Sequence, residues 1–593
     1  MWWMLALLAC NGGDGSDDDK SPADADADAD ADTDVDTDTD TDTDVDTDAD
    51  TDTDADTDSD TDTDTDTDTD TTPVAPFSDP VLWMDVPLEG AADHGHTPMA
   101  EATVVEAGGL MFAEVGATAG LSSSASGGNS HGVGVGFFDV NGDGWADIVH
   151  ANGIDNSGAP SWESELWINN GDGTFTDASS SSGLAGILAG LDTYSVAGAD
   201  IDADGDIDVH ITAHPNDVLL INDGTGSFTD GTGAADLGGP DSVPASNGSS
   251  KIGAWGDVNS DGWPDLVVAS SQFTSQSENA YLMLNDGDGT FTDATASWAL
   301  QVSDEGNPCA VMWTDYDNDG DQDLAVWNDR GDPDSNRNLF RNDNGTFTDV
   351  TADAYWTNPM GNPMGIDGAD INRDGYLDYY VGNIGGNALL VALGDGTFID
   401  YADSSGTSGS YSWGLGFEDF DHDGWWDIFV AEEDDRFYLS FQNLRTDPPT
   451  FQEAMWAHWP VGNGHNVAAG FADFDHDGDT DVITAPTSGA RMSLMRNDTD
   501  KGSNHWLEVV IDEEPTTGAR GGIGARVVVA FPDGTTTFRD ITGGSSRASQ
   551  NAHSARFGLG AWDGASTVAV LWPDGRTLAA TNVAGDQVLH LTP

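Results

Sequence analysis

The sequence predicts an all-β fold: a seven-bladed β-propeller with calcium-binding blade loops, followed by a small β-sandwich-like domain and preceded by a disordered acidic linker. Three observations carry this. A nine-residue acidic loop occurs seven times, with starts 49 to 61 residues apart, the length of one four-stranded blade. The loop always joins a run rich in small residues to a short apolar run, as a hairpin connection does. The composition, with 73 glycines and 37 % hydrophobic residues, suits a turn-rich β chain that still buries a large core.

The loop is clearest at Asp315-Tyr316-Asp317-Asn318-Asp319-Gly320-Asp321-Gln322-Asp323. Carboxylates stand at positions 1, 3, 5 and 9, and glycine at position 6 permits a sharp turn. Calcium takes six to eight oxygens, and alternate Asp side chains with one backbone carbonyl near position 7 can supply most of them. Positions 1, 3, 5 and 9 are Asp139, Asn141, Asp143 and Asp147 in the first loop and Asp200, Asp202, Asp204 and Asp208 in the second. They are Asp257, Asn259, Asp261 and Asp265 in the third, with Asp315, Asp317, Asp319 and Asp323 in the fourth. The last three loops supply Asp370, Asn372, Asp374 and Asp378; Asp419, Asp421, Asp423 and Asp427; and Asp473, Asp475, Asp477 and Asp481.

Up to seven Ca2+ sites are therefore expected, the three with Asn at position 3 weaker because they carry less charge. An EF-hand is excluded, since position 12 holds His150, Ile211, Val268, Val326, Val381, Val430 and Thr484 rather than Glu. His422 and His476, at position 4, are expected to be exposed and not to be ligands. Trp145, Trp263, Trp425 and Trp426 lie within the loops and are expected to pack between blades, a stacking surface for a ligand being the alternative.

The strands before the loops, such as Val133-Gly134-Val135-Gly136-Phe137-Phe138, use small residues suited to the crowded axis of a ring. A second motif alternates with the first, as in Asn169-Asn170-Gly171-Asp172-Gly173-Thr174-Phe175-Thr176-Asp177. Asn-Gly and Asp-Gly pairs are hairpin turns, and the Phe anchors the next strand. Phe112 belongs to this series but precedes the first loop, while no such strand follows the seventh. The ring is expected to close by taking its last blade's missing strand from the N-terminal side, leaving no open edge.

Charge narrows the function classes. The chain has 108 acidic and 17 basic residues, a formal net charge of -91, which argues against nucleic acid or an anionic membrane surface as partner. Of the two cysteines, Cys309 opens an apolar run and is expected to be a small buried residue. Residues 1–10 form a short apolar leader whose Leu7-Leu8-Ala9-Cys10 resembles a bacterial lipobox, implying cleavage before Cys10 and its lipidation. The apolar run is too short to cross a membrane, so the membrane is a partner only through that anchor.

Residues 11–75 form an Asp/Thr-rich tether. Asp occupies every even position from Asp24 to Asp70, and such repelling charges keep a chain extended, with a reach of about 150 Å. A lead-in segment at 76–105, the propeller at 106–500 and a β domain at 501–593 complete the expected organisation. In the last, alternation at Leu507–Ile511 and Val568–Trp572 gives strands, with Pro-Asp-Gly turns at Pro532 and Pro573. Arg526, Arg539 and Arg556 there are read as surface arginines, with contact to the acidic propeller as the alternative.

These residues resemble FG-GAP/VCBS repeats, the blades of integrin α-type propellers. The resemblance implies calcium held by side chains at positions 1, 3, 5 and 9 and the carbonyl at 7. Asn504-His505-Trp506-Leu507, Gly522-Ile523-Gly524-Ala525-Arg526-Val527, Ser549-Gln550, Phe557-Gly558-Leu559-Gly560 and Trp572-Pro573-Asp574-Gly575 resemble the ASPIC/UnbV domain. Together the two give the layout of the cartilage acidic protein family and its bacterial relatives, which implies an extracellular β protein and no established activity.

The sequence carries no HExxH, GxSxG, P-loop or Rossmann signature, and His94, His96 and His131 are read as solvated. The expected function is a monomeric, lipid-anchored or secreted surface module that binds a protein or polysaccharide ligand and is not an enzyme. A structural envelope spacer is the alternative, and an extracellular hydrolase acting on glycans or lipids a further one.

Overall fold

Seven antiparallel sheets of four strands repeat one hairpin plan. A computed structural model describes residues 110–592 except 122–132, 153–163, 236, 238–250, 271–278, 303–307, 329–336, 357–361, 410, 433–437, 456–465, 487–491 and 513–521. Cys10, the tether, the lead-in segment, His94, His96 and His131 lie outside the described residues.

In blade one, strand Val133–Phe138 pairs with Asp147–Asn152, which pairs with Glu165–Asn169, which pairs with Phe175–Asp177. Each acidic loop is the turn between a blade's first two strands. The innermost strands are Val133–Phe138, Asp192–Ala199, Lys251–Gly256, Pro308–Thr314, Pro363–Ala369, Ser412–Glu418 and Asn466–Ala472. Each contacts its successor, and the last contacts the first, so the sheets close into a ring. The outermost strands show why they form. In Phe175–Asp177 the Phe is buried and the two polar residues after it are exposed, the period-2 signature of a half-buried strand. Phe228, Phe291, Phe347, Phe398 and Phe451 are buried in the same way, each contributing about 2 kcal/mol of apolar burial.

The ring closes as expected. Phe112–Glu114 pairs with Ser493–Asn497, with Phe112 opposite Asn497, and completes the seventh sheet. The Phe112 ring meets Phe420 of blade six edge-on at 5.2 Å. Cys309 is buried in the innermost strand of blade four.

The C-terminal domain is a two-sheet sandwich. His505–Ile511 lies between Ser554–Gly560, antiparallel, and Gln587–Leu591, parallel. The second sheet orders Thr536–Asp540, Arg526–Ala530, Gly564–Leu571 and Thr577–Ala584. Its core runs on into the propeller: Trp426 of blade six is buried 5.9 Å from Phe557, and Phe538 packs among blade-four and blade-five residues such as Trp356 and Tyr379.

The three arginines read as surface residues are instead buried in this junction. Arg539 donates to Asp367 at 3.1 Å and to the Gly368 carbonyl. Arg556 donates to Glu418 at 3.4 Å and to Thr480. Arg526 holds Asp540 with two hydrogen bonds and reaches Asn318 in the fourth acidic loop at 2.6 Å. The correction has a simple cause. Carboxylates at the ends of inner strands are enclosed when the domain docks, and each enclosed charge demands a partner.

The segment between strands Thr536–Asp540 and Ser554–Gly560 fills the centre of the ring. Gly543 O accepts from Trp255 N of blade three, and Ser546 N donates to Ile366 O of blade five. Ser546 Oγ accepts from Leu415 N of blade six. Ala548 O accepts from Val196 N of blade two, Gln550 pairs with Val135 and Phe137 of blade one, and Ala552 N donates to Phe471 O of blade seven. Gln550 also brackets Gly198 with both ends of its amide. The small residues of the first strands make room for this: a Cβ on Gly134 would lie 2.4 Å from Ala548 O.

Deletion of residues 1–114 would strip the seventh sheet of its fourth strand and leave Ser493–Asn497 as an open edge. The expected outcome is a lower thermal midpoint and concentration-dependent self-association, measured by calorimetry and light scattering.

Candidate metal centres

Every acidic loop folds around two aspartates. The position-9 carboxylates, Asp147, Asp208, Asp265, Asp323, Asp378, Asp427 and Asp481, are at most 1 % exposed. In all seven, one oxygen accepts the N–H at the end of the blade's third strand at 2.7–2.8 Å. In six, the other oxygen accepts the N–H of position 2. In blade two that oxygen, Asp208 Oδ2, is buried without a hydrogen-bond partner.

In six loops the position-1 carboxylate takes the N–H groups of positions 5 and 6, as Asp257 does from Asp261 and Gly262 at 2.9 Å each. Position 5 turns to the N–H of position 7, as Asp261 does with Trp263 at 2.8 Å. The turn needs left-handed backbone twice. Gly144, Gly205, Gly262, Gly320, Gly375, Gly424 and Gly478 at position 6 have φ between 84° and 95°. Position 4 is left-handed too, although it holds Ala203, Ser260, Asn318, Arg373, His422 and His476 in six loops. A side chain there is strained, so the carboxylate bonds hold the loop against its own preference.

Carboxylate oxygens of positions 1, 3 and 9 gather within 4.8 Å of one another in four loops: Asp200, Asp202, Asp208; Asp315, Asp317, Asp323; Asp419, Asp421, Asp427; and Asp473, Asp475, Asp481. Buried oxygens of Asp315, Asp317 and Asp475 meet no hydrogen-bond donor. Such all-oxygen sets with spare lone pairs fit a hard cation. In the other three loops the position-3 amide answers the charge internally, Asn141, Asn259 and Asn372 each donating to the position-5 carboxylate at 2.9–3.0 Å. The fourth loop departs at Asp315, whose Oδ2 lies 3.9 Å from Arg526. In the sixth, Arg445 donates to Asp423 at 2.7 Å.

Burial dominates the electrostatics. It pushes Asp147, Asp208 and Asp315 up to about 8, with neighbouring loop carboxylates adding to the rise. Without a cation, these sites favour protons.

In the fourth to seventh loops position 4 meets the neighbouring blade. His476 is exposed, as expected, and stacks on Trp145 of blade one at 3.8 Å and 9°. Arg373 lies 4.3 Å over Trp425 of blade six. His422 was expected in solvent and is instead 4 % exposed. Its Nε2 lies 3.5 Å from Asp479 of the seventh loop, and its carbonyl accepts from Gly560 of the C-terminal domain. That domain covers the loop, and burial holds the imidazole down at about 3.

The sequence reading missed the residue that joins one loop to the next. The third strand ends in Asn in six blades, and its backbone N–H is the one the position-9 aspartate accepts. Its side chain donates to the position-2 carbonyl of the preceding blade: Asn222 to Val140, Asn285 to Ile201, Asn342 to Val258, Asn443 to Ile371 and Asn497 to Phe420. Asn169 does so to Phe474 of blade seven, closing the circuit. Blade five has Ala392 instead, and Asn318 bridges that junction by donating to Gly375 O. The signal was the Asn that opens the second motif, read only as part of a turn.

Two outcomes follow. Asn285→Ala strands the buried Ile201 and Pro264 carbonyls and costs about 2 kcal/mol, readable as a shift in urea midpoint at unchanged slope. For the metal-free chain, folded carboxylates near 8 bind protons more tightly than unfolded ones near 4. Their contribution is full below about pH 4 and lost as pH rises through about 8. The melting temperature in chelator is expected to fall between those limits.

Profiles of known families agree with this geometry. The FG-GAP-like repeat matches residues 139–211, 200–268, 257–326, 315–381, 370–430 and 419–484, each match reaching from one loop past the next. The ASPIC and UnbV profile matches residues 515–593. Cartilage acidic protein 1 of Mus musculus is 31 % identical over 261 residues, covering 42 % of this chain and 40 % of the relative. That of Homo sapiens is 30 % identical over 259 residues, with 42 % and 39 % covered. The chain thus spans about 40 % of the length of these curated relatives. A solved Agrocybe aegerita lectin is similar at 19 % identity and a TM-score of 0.37, over 60 % of this chain and 86 % of that one. The chain belongs to the FG-GAP-like repeat family, with an ASPIC/UnbV domain after its ring.

Proposed function

We propose that the protein is an exported, calcium-loaded binding module, held at the cell surface through Cys10 or secreted, that presents a stiffened loop face to a protein or polysaccharide ligand and carries out no catalysis. The observation that carries this is the gathering of acidic oxygens at the same turn of four blades, with the same loop repeated in the other three. Calcium supplies the positive charge that such a turn lacks. Positions 1, 3, 5 and 9 would hold it, with the carbonyl of position 7.

The chain's own part is preparation. The position-9 aspartate fixes the loop to the third strand, and the asparagine fixes it to the preceding blade. The strained position 4 sets the turn. Binding a cation to such a set is coupled to the order of the loop, so metal and stability rise together. The filled axis favours a second reading as a rigid envelope spacer, since the channel in which many ring proteins hold a ligand is taken by the chain itself.

Melting curves with calcium and with excess chelator test the first reading. The midpoint is expected to drop by about 10 °C or more in chelator and to return with calcium. An unchanged curve contradicts it. A screen against cell-envelope fractions and polysaccharides separates the two readings: retention lost in chelator supports binding, and no retention supports the spacer.

A further inference from the structure

The C-terminal domain sits unevenly on the acidic loops. Over the fourth to seventh loops it makes close contact. Arg526 reaches Asn318, Phe531 lies 4.8 Å from the Arg373 guanidinium, Asn504 donates to Asp421 O, and Trp506 lies against Gly478. Over the first three loops and the flank of the seventh it stands off. A cleft of about 730 Å³ separates the two domains there, a volume typical of ligand sites, which favour domain boundaries.

Both walls of this cleft are acidic. On the propeller side are the position-1 aspartates Asp139, Asp200, Asp257 and Asp473. On the domain side are Glu508 and Asp512. Calcium would not reverse the sign. The four loops carry fourteen carboxylates at positions 1, 3, 5 and 9, which outweigh the eight charges of four calcium ions. Among the described residues, the Lys or Arg lining the cleft is Arg576, at its exposed rim beside Asp574. Of the arginines that neutralise the other half of the junction, Arg556 reaches this side, lying 3.6 Å from Glu508.

Two further features say what kind of cation fits. Between the charged walls runs an apolar strip that includes Val510, Ile511, Ile523 and Val588, a surface for the methylene stems of long basic side chains. Trp572 lines the cleft, is 6 % exposed, and its indole N–H is buried without an acceptor. A polyamine has no acceptor to offer it, whereas a peptide has a carbonyl at every residue. Strand Gln587–Leu591 is the outer strand of its sheet and lines the cleft through Val588 and His590, so main-chain pairing is on offer to an extended segment. The chain's own first 109 residues hold one Lys and no Arg, so they do not complement the cleft.

We infer that this interdomain cleft is the docking site for an extended, Lys- or Arg-bearing segment of a partner protein. The inference rests on the binding-module reading and gives it a site and a ligand chemistry. Titration calorimetry on the full, calcium-saturated chain tests it, with a short peptide of alternating Lys and Val, its Glu and Val counterpart, and spermidine. The Lys peptide is expected to bind and the Glu peptide not. Val588→Arg, which places a cation in the cleft, and Asp512→Asn, at a residue bonded only to surface partners, should each weaken binding about tenfold. Trp572→Phe, which keeps the ring and removes the N–H, should weaken it several-fold.

Binding unchanged in all three variants would place the peptide elsewhere, on the acidic tether for example, and overturn the inference. So would absence of binding, or spermidine binding with the Lys peptide excluded. Calcium-dependent melting of the same samples keeps the outcomes apart. If calcium stabilises the chain but the cleft binds nothing, the inference alone fails; if calcium has no effect, the binding-module reading fails with it.

Discussion

A buried aspartate at position 9 of each loop is the constraint on which the rest of the structure depends. It is enclosed on all sides, and its oxygens accept backbone N–H groups from strands one side chain cannot otherwise connect. An ionised carboxylate in such a place is costly unless its hydrogen bonds are complete and positive charge lies near. The loop, the third strand and the adjoining blade are therefore fixed together. Remove the carboxylate and three elements lose a common anchor.

This makes the ring a circuit as well as a stack of sheets. Each Asn that presents its N–H to its own blade's aspartate gives its amide to the blade before, and the last such bond runs from Asn169 to Phe474. The N-terminal strand closes the sheet hydrogen bonding at the same seam. Blade five, with Ala392, is the one departure, and there the position-4 side chain of the fourth loop takes over. The C-terminal domain adds the third dimension. Its arginines meet the carboxylates of inner strands, and its segment from Gly543 to Ala552 satisfies inner-strand backbone groups that would otherwise line an open channel.

Much of this was legible in the sequence because it repeats. Seven loops with one spacing reveal the blades, and Phe112 standing before the first loop reveals where the ring closes. What could not be read is what happens once. The axial segment Gly543–Ala552 has no alternation, because it follows the shape of the channel and not a sheet, and its Ser549-Gln550 resembles the ASPIC/UnbV domain without showing where it lies. Arg526, Arg539 and Arg556 carry no local sign of burial; docking encloses Arg539 and Arg556 with Asp367 and Glu418, and Arg526 against Asn318. His422 and His476 occupy the same loop position with opposite exposure, because Gly558 and Gly560 lie over His422 while His476 lines the interdomain cleft. The Asn circuit was visible as a repeated letter, but its partners lie a blade away.

The central claim is that each loop is a cation clip built on its buried aspartate. Native mass spectrometry of the full chain, titrated with calcium, counts the clips directly. The account predicts ions bound cooperatively up to seven, the weakest belonging to the loops with Asn141, Asn259 and Asn372, and one ion fewer in Asp208→Asn. Fewer than about four ions at saturation, or a count unaltered by that substitution, would contradict it.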